Sequence, residues 1–182
     1  MDSKLQIISG AHRGRKLYLP TGARPTQNMA RVALFNMLAS ILPNNEKLVI
    51  WDAFAGSGAF GLEFLSRVPS AKVIFSDIAP DTVNKNLRAI GTAATVKQTD
   101  AIAAVAQFGA DADVIFIDPP YSDPTLGARF VRKLTPIAKA GAILIWEFEK
   151  VNGAPEISEK WEILRDKTYG RARFLILRRT AQ

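Results

Sequence analysis

The sequence predicts a doubly wound α/β domain: a mostly parallel sheet with helices on both faces, closed by an antiparallel C-terminal hairpin. Three observations carry this expectation. Short, continuously apolar runs alternate with helically spaced segments through the middle of the chain, most of those runs stop at an aspartate, and residues 161–179 switch to two β-rich runs around Tyr169-Gly170. Strands separated by helices imply right-handed βαβ crossovers, and parallel strands buried on both faces need unbroken apolar runs rather than alternation.

Taken in order, "LQIISGAHRGRKLYLP" reads as a small N-terminal β-hairpin, and "TQNMARVALFNMLASIL" as an amphipathic helix with Val32, Leu34, Phe35, Leu38 and Leu42 near helical spacing. "KLVIWDAFAG" is a first buried strand and "AFGLEFLSRV" a helix. "AKVIFSD" is a second strand, followed by "APDTVNKNLRAI", whose Pro80 and Asp81 suit a helix start. "ATVKQTD", "AIAAVAQF" and "ADVIFIDPPY" continue the alternation as strand, helix and strand. "DPTLGARFVRKLTPIA" and "GAILIWEF" then give a last helix and a fifth strand. The hairpin "WEILRDKTYGRARFLILRR" belongs at the sheet edge. We expect one domain over 1–182, with the N-terminal hairpin as an extension over 1–25 and the main fold over 26–182.

Composition removes several kinds of chemistry. A chain of 182 residues, 48% of them hydrophobic, supports one core and not two ordinary domains. With no cysteine and a single histidine, His12, neither thiolate catalysis nor a Cys/His metal site is expected. No window approaches the roughly 20 apolar residues of a membrane span, and the N-terminus lacks a secretory layout, so a cytoplasmic, monomeric protein is expected. The net charge of +7 is concentrated at the ends: residues 1–31 carry six Lys/Arg against one Asp, and residues 160–182 seven against two acids. Such ends suit a polyanion, or simply solvation.

In open α/β sheets ligands bind beyond the carboxyl ends of the strands, at the point where strand order reverses. Asp52, Asp77, Asp100 and Asp118 mark four of those ends, and the first is followed by "DAFAGSGAFG" with Gly56, Gly58 and Gly61. The spacing satisfies the dinucleotide fingerprint. Asp52, however, stands in the mouth of the loop, where it would repel a pyrophosphate and attract a cation such as an ammonium or sulfonium. Asp77 at the next strand end is placed to accept ribose hydroxyls. The expected ligand is therefore S-adenosylmethionine, held by Asp52, Asp77 and the loop with Phe54, Gly56, Ser57, Gly58 and Gly61. Gly56 and Gly58 would allow a tight turn and a close approach, and Gly61 a close helix–strand contact.

"DPPY", at 118–121, then falls beside a methyl donor. Exocyclic base amines are poor nucleophiles because the nitrogen lone pair is delocalised into the ring. Two acceptors on the amine hydrogens, the Asp118 carboxylate and a carbonyl such as that of Pro119, would favour a pyramidal nitrogen. Pro119 and Pro120 would hold those acceptors in place, and Tyr121 would stack on the base.

These motifs, with "GAHRGRKL", "RPTQNMARVALFNML" and "KTYGRARFLILRR", resemble the bacterial RsmD-like family of 16S ribosomal RNA guanine-N2 methyltransferases nearly end to end. The resemblance implies a Rossmann-like class I methyltransferase fold, S-adenosylmethionine as donor with S-adenosylhomocysteine as product, and a guanine of small-subunit ribosomal RNA as acceptor. It implies Asp100, with its neighbour Ala101, on the donor, Arg24, Thr26 and Arg31 at the active-site rim or on RNA, and Arg13 and Arg15 on the RNA backbone; the basic N-terminus adds Lys16 as a phosphate contact. Ala33 stands where the family usually has Glu, and the stretch from Asp77 to Asn86 is about a helical turn shorter than usual. Other readings are adenine-N6 methylation of DNA or RNA, a non-catalytic RNA-binding protein, and a nicotinamide oxidoreductase. The last is opposed by Asp52 and by the lack of any hydride-transfer acid other than His12, which is far from the strand rim in sequence.

Overall fold

The computed structural model describes residues 5–22, 28–42, 47–150 and 155–181. Helix α1 (Asn28–Ala39) precedes the alternating core: β1 (Val49–Asp52), α2 (Ala59–Arg67), β2 (Lys72–Asp77), α3 (Asp81–Ile90), β3 (Thr95–Gln98), α4 (Ala101–Phe108), β4 (Val114–Ile117), α5 (Leu126–Leu134) and β5 (Ile143–Glu149). The hairpin of β6 (Trp161–Tyr169) and β7 (Ala172–Arg179) completes a seven-stranded sheet in the order β3-β2-β1-β4-β5-β7-β6. β1 to β5 run parallel, while β7 pairs antiparallel with both β5 and β6. The chain winds outward from β1 through β2 and β3, then returns to the other side of β1 with β4. The strand order therefore reverses between β1 and β4, between Asp52 and Asp118.

The expected strands form because both faces of the sheet are covered. One face, with Ile50, Val73, Phe75, Phe116, Ile145, Phe174 and Ile176, packs against the N-terminal segment, α1, α2 and α3. The other, with Trp51, Ile115, Ile117, Leu144 and Trp146, packs against α4 and α5. All four residues of β4 are buried, so an unbroken VIFI run is what that position requires. β6, at the open edge, is exposed along most of its length and carries Glu162, Arg165, Asp166 and Lys167, charges that discourage further strand pairing.

Two helices differ in extent from the sequence expectation. α5 begins at Leu126 rather than at Asp123, because the Asp123 carboxylate accepts hydrogen bonds from the Thr125 amide at 3.0 Å and the Thr125 hydroxyl at 2.7 Å, folding Asp123-Pro124-Thr125 into a turn. In α1 the buried stripe is Ala30, Arg31, Leu34, Phe35 and Leu38, with Val32 only half-buried.

The N-terminal hairpin is reduced to a single antiparallel bridge, Gln6 with Lys16. Its arms are joined by Ile7 N to Arg15 O at 3.0 Å and Leu17 N to Leu5 O at 2.9 Å, and its loop is held to α2. The fully buried Glu63 accepts from the amides of Ile8 (2.7 Å) and Ser9 (3.0 Å) and from Arg67 Nε (2.7 Å). The Ser66 carbonyl accepts from the Ala11 amide at 2.8 Å, and Ser66 Oγ from the His12 amide at 2.9 Å. This docking leaves Arg13, Arg15 and Lys16 exposed on the outer side of the loop. Among the described residues no helix is long and apolar enough to cross a membrane.

Candidate active site

At the β1/β4 reversal a cleft of about 660 Å³ opens beyond the carboxyl ends of the strands. Its walls bring together Asp52, Phe54, Gly56, Ser57, Asp77, Asp100 and Ala101 on one side and Asp118, Pro120, Glu147 and Arg31 on the other. Leu19 and Pro20 of the N-terminal segment close over it. A somewhat larger cavity, about 730 Å³, lies under α5 on the opposite face, lined by Pro119, Tyr121, Arg132 and Trp146. It contains none of the strand-end acids from β1 and β2, so chemistry rather than volume selects the first.

The glycine loop is pinned at several points. Ala53 donates its amide to Phe116 O and Ala55 to Ser76 O, each at 3.0 Å. Asp52, 1% exposed, accepts from the Gly61 amide at 3.1 Å through Oδ2. Asp77 accepts from Gly56 N at 2.7 Å and from Ala79 N at 2.8 Å, so it shapes the loop as well as lining the cleft. Asp100 caps α4, accepting from Ala103 N at 2.9 Å. Asn86, fully buried on α3, donates to Ser57 O at 2.7 Å and to Tyr18 O at 3.0 Å and accepts from Tyr18 N at 2.7 Å. It ties the loop to the N-terminal segment, a role that no local sequence signal announces.

The three loop glycines do different things. Gly56 and Gly58 both have positive φ, +52° and +75°. Around Gly56 a Cβ would meet only Pro20 Cγ at 4.0 Å, in open space beside the cleft. At Gly58 it would meet Val83 Cγ2 at 2.6 Å, and at Gly61 Phe75 Cε1 at 2.3 Å. Gly58 and Gly61 therefore serve the packing of α2 against β2 and α3, and only Gly56 faces the cleft. Gly58→Val is accordingly expected to destabilise the fold by about 3 kcal/mol, lowering the melting temperature by roughly 10 °C. Gly56→Ala is expected to weaken donor binding in calorimetry with a much smaller thermal shift. The reverse pattern would contradict this division.

Burial sets the electrostatics. Desolvation raises Asp52 well above the usual carboxylate range, and the nearby Asp118 and Asp77 push it the same way against the Gly61 amide. Burial likewise brings Asp118 up to about 7. Arg31 is lowered by burial, while Glu63 and Glu147 support its charge. The arrangement suits a cationic ligand: Asp52 Oδ1 is buried without a hydrogen-bond partner among the described residues, in a cleft lined by four further carboxylates.

Several sequence assignments are thereby located. Asp118 faces the cleft, Pro120 lies between the two cavities, and Pro119 and Tyr121 line the second one, with Tyr121 44% exposed at the rim. Arg13, Arg15 and Lys16 are on the surface. Arg31 is not: at 3% exposure, with Nη2 donating to Gln6 O and to Asn28 Oδ1, it cannot grip a phosphate and instead lines the cleft. Arg24 and Thr26 lie outside the described residues. Glu147, in the cleft and 3% exposed, is absent from the sequence-derived site. The available signal was an acid inside the otherwise apolar fifth strand.

The sequence pattern of the family described as "Conserved hypothetical protein 95" matches residues 5–178. The chain is 36% identical to the ribosomal RNA small subunit methyltransferase D of Escherichia coli K12 over 187 residues, covering 100% of this chain and 93% of that protein. It is 33% identical to the protein of the same name from Haemophilus influenzae, covering 92% and 90% of the two chains. Among solved structures, the Escherichia coli yhhF protein, described as a candidate methyltransferase, superposes with a TM-score of 0.82 at 31% identity over 98% of this chain and 99% of its own. The AviRa rRNA methyltransferase of Streptomyces viridochromogenes shares the fold alone, with a TM-score of 0.64 at 16% identity over 89% and 88% of the two chains.

Fold and cleft together define a class I methyltransferase, the class whose methyl donor is S-adenosylmethionine. Within it, this chain belongs to the "Conserved hypothetical protein 95" family, that of the RsmD-like methyltransferases.

Proposed function

We propose that the protein transfers a methyl group from S-adenosylmethionine to the exocyclic N2 of a guanine in small-subunit ribosomal RNA. The observation that carries this reading is the placement of Asp118 in the same cleft as Asp52 and Gly56, on the strand next to β1. The names of the relatives support ribosomal RNA as the substrate.

The Asp52 and Asp77 end of the cleft would hold the donor, with Phe54, Ser57, Asp100 and Ala101 around it. When bound, the donor supplies an electrophilic methyl group on a positively charged sulfur. Asp118 and the Pro119 carbonyl would accept the two hydrogens of the guanine amine, turning its lone pair toward that methyl. A C–N bond forms as the C–S bond breaks, and the amine then sheds one proton to Asp118 or to water. Asp118, raised to about 7, is a competent proton acceptor at neutral pH. Most of the acceleration on this reading comes from alignment.

The base must leave its stack to reach Asp118. The exposed Arg13, Arg15 and Lys16, on a loop fastened to α2, would meet phosphates. Arg13→Ala/Arg15→Ala is expected to weaken binding of small-subunit ribosomal RNA and to reduce the slope of log K against log[salt] by about 1–2. An unchanged slope would put that loop on a bystander face. The substrate class is tested by incubating the protein with labelled S-adenosylmethionine and, in parallel, small ribosomal subunits, protein-free ribosomal RNA and double-stranded DNA. Label in ribosomal RNA with none in DNA is expected. Label confined to DNA would overturn the assignment.

A further inference from the structure

β4 and β5 pair in parallel as far as Ile117 opposite Trp146, and Asp118 and Glu147 are the next residues on the two chains. Matched positions on parallel neighbours point to the same face of a sheet. That face carries Phe116 and Ile145, two residues earlier on each strand, and is covered by α1. Glu147 is 3% exposed and lines the same cleft as Asp118 and Arg31. Its charge acts on Arg31 on one side and on Tyr121 on the other, which places it between α1 and the tip of β4. The other positions of β5 on this face are Ile143, Ile145 and, at the strand's end, the half-buried Glu149. A buried carboxylate here costs stability that a third aliphatic residue would not.

Two carboxylates in one cleft suit a ligand with two adjacent donors. Guanine offers that pair, N1–H beside the 2-amine, whereas adenine sets its 6-amine beside the N1 lone pair, an acceptor. We propose that Glu147 reads the target base, its carboxylate accepting the guanine N1–H while Asp118 holds the neighbouring 2-amine. The proposal rests on the guanine-amine reading given above and adds the residue that excludes adenine. The charge of Glu147 supports that of Arg31 on α1, and a carboxylate has lone pairs enough to serve an arginine and a base together.

2-Aminopurine separates the two contacts, because it carries the same 2-amine but has a lone pair at N1. The test uses small subunits reconstituted with ribosomal RNA in which the guanosine that takes label is replaced by 2-aminopurine riboside. Unmodified subunits serve as the reference, and both are followed by single-turnover methyl transfer. The wild-type enzyme is expected to prefer guanine by about 100-fold or more in kcat/KM. Glu147→Gln, whose amide can donate to the N1 lone pair, is expected to lower guanine methylation by about 100-fold and to bring the two substrates within about tenfold of each other. Equal use of both substrates by the wild-type enzyme would overturn the proposal, and that comparison needs no variant. So would a Glu147→Gln enzyme that loses both activities by one common factor while keeping donor affinity and melting temperature. If the wild-type enzyme labels no guanine at all, the methyl-transfer reading itself fails and this proposal with it.

Discussion

Asp118→Asn is expected to lower methyl transfer by about 10³-fold while leaving S-adenosylmethionine affinity nearly unchanged. The side chain keeps its shape, and the Asp52 and Gly56 end of the cleft is untouched. The amide, however, accepts less strongly and takes no proton from the methylated amine. The same substitution is expected to stabilise the fold at alkaline pH. Burial holds Asp118 at about 7 in the folded protein, against roughly 3.9 in an unfolded chain. Between those values the folded state binds the extra proton, so stability falls as pH rises from about 4 through 7 and stays lower above. Asparagine removes that dependence, for a gain on the order of 4 kcal/mol at pH 8 and little at pH 4. Thermal melts of both proteins at the two pH values check this; a variant less stable at pH 8, or one retaining activity, would contradict it. In the wild-type enzyme kcat/KM is expected to fall about tenfold per pH unit below 7, as the carboxylate acceptor is protonated.

Glu63→Ala is expected to cost about 3–5 kcal/mol and to release the N-terminal loop from α2. The fully buried carboxylate serves the Ile8 and Ser9 amides and Arg67 at once, and alanine leaves the two amides without their acceptor. Because this loop carries Arg13 and Arg15, RNA affinity should fall along with stability. Donor binding should persist in the molecules that remain folded. Limited proteolysis between residues 8 and 16 reads the release directly, and Glu63→Gln, which keeps one acceptor oxygen, should lie between the two. A variant as resistant to protease as the wild type would show that Ser66 alone holds the loop.

The alternation of β1 to β5 with their helices was legible because each strand is buried on both faces and each helix on one, so hydrophobic period and length report the environment directly. Asp52 and Asp118 could be placed because a carboxylate that ends an apolar strand in such a sheet has one rim on which to sit. Glu63, Asn86, Arg31 and Glu147 were not legible, or were misplaced, for a shared reason. Each is a polar residue within an otherwise apolar buried stripe, and its meaning lies in a partner remote in the chain: Glu63 serves amides 55 and 54 positions upstream, and Asn86 serves Tyr18 across 68. Arg31 is misplaced by its charge: the spacing i+3, i+4 and i+7 sets it on the face of Leu34, Phe35 and Leu38, and that face is buried. Gly58 fits the glycine fingerprint, yet it faces Val83 rather than a ligand, because the motif records the turn and not the direction of each α-carbon.

On the reading proposed above, the amine held at Asp118 is the 2-amine of guanine. That reading is tested most directly by giving the protein labelled S-adenosylmethionine and small ribosomal subunits from cells lacking this activity, digesting the RNA to nucleosides and identifying the one that carries label. N2-methylguanosine is expected, with none formed by the Asp118→Asn enzyme; label in N6-methyladenosine would overturn the guanine assignment.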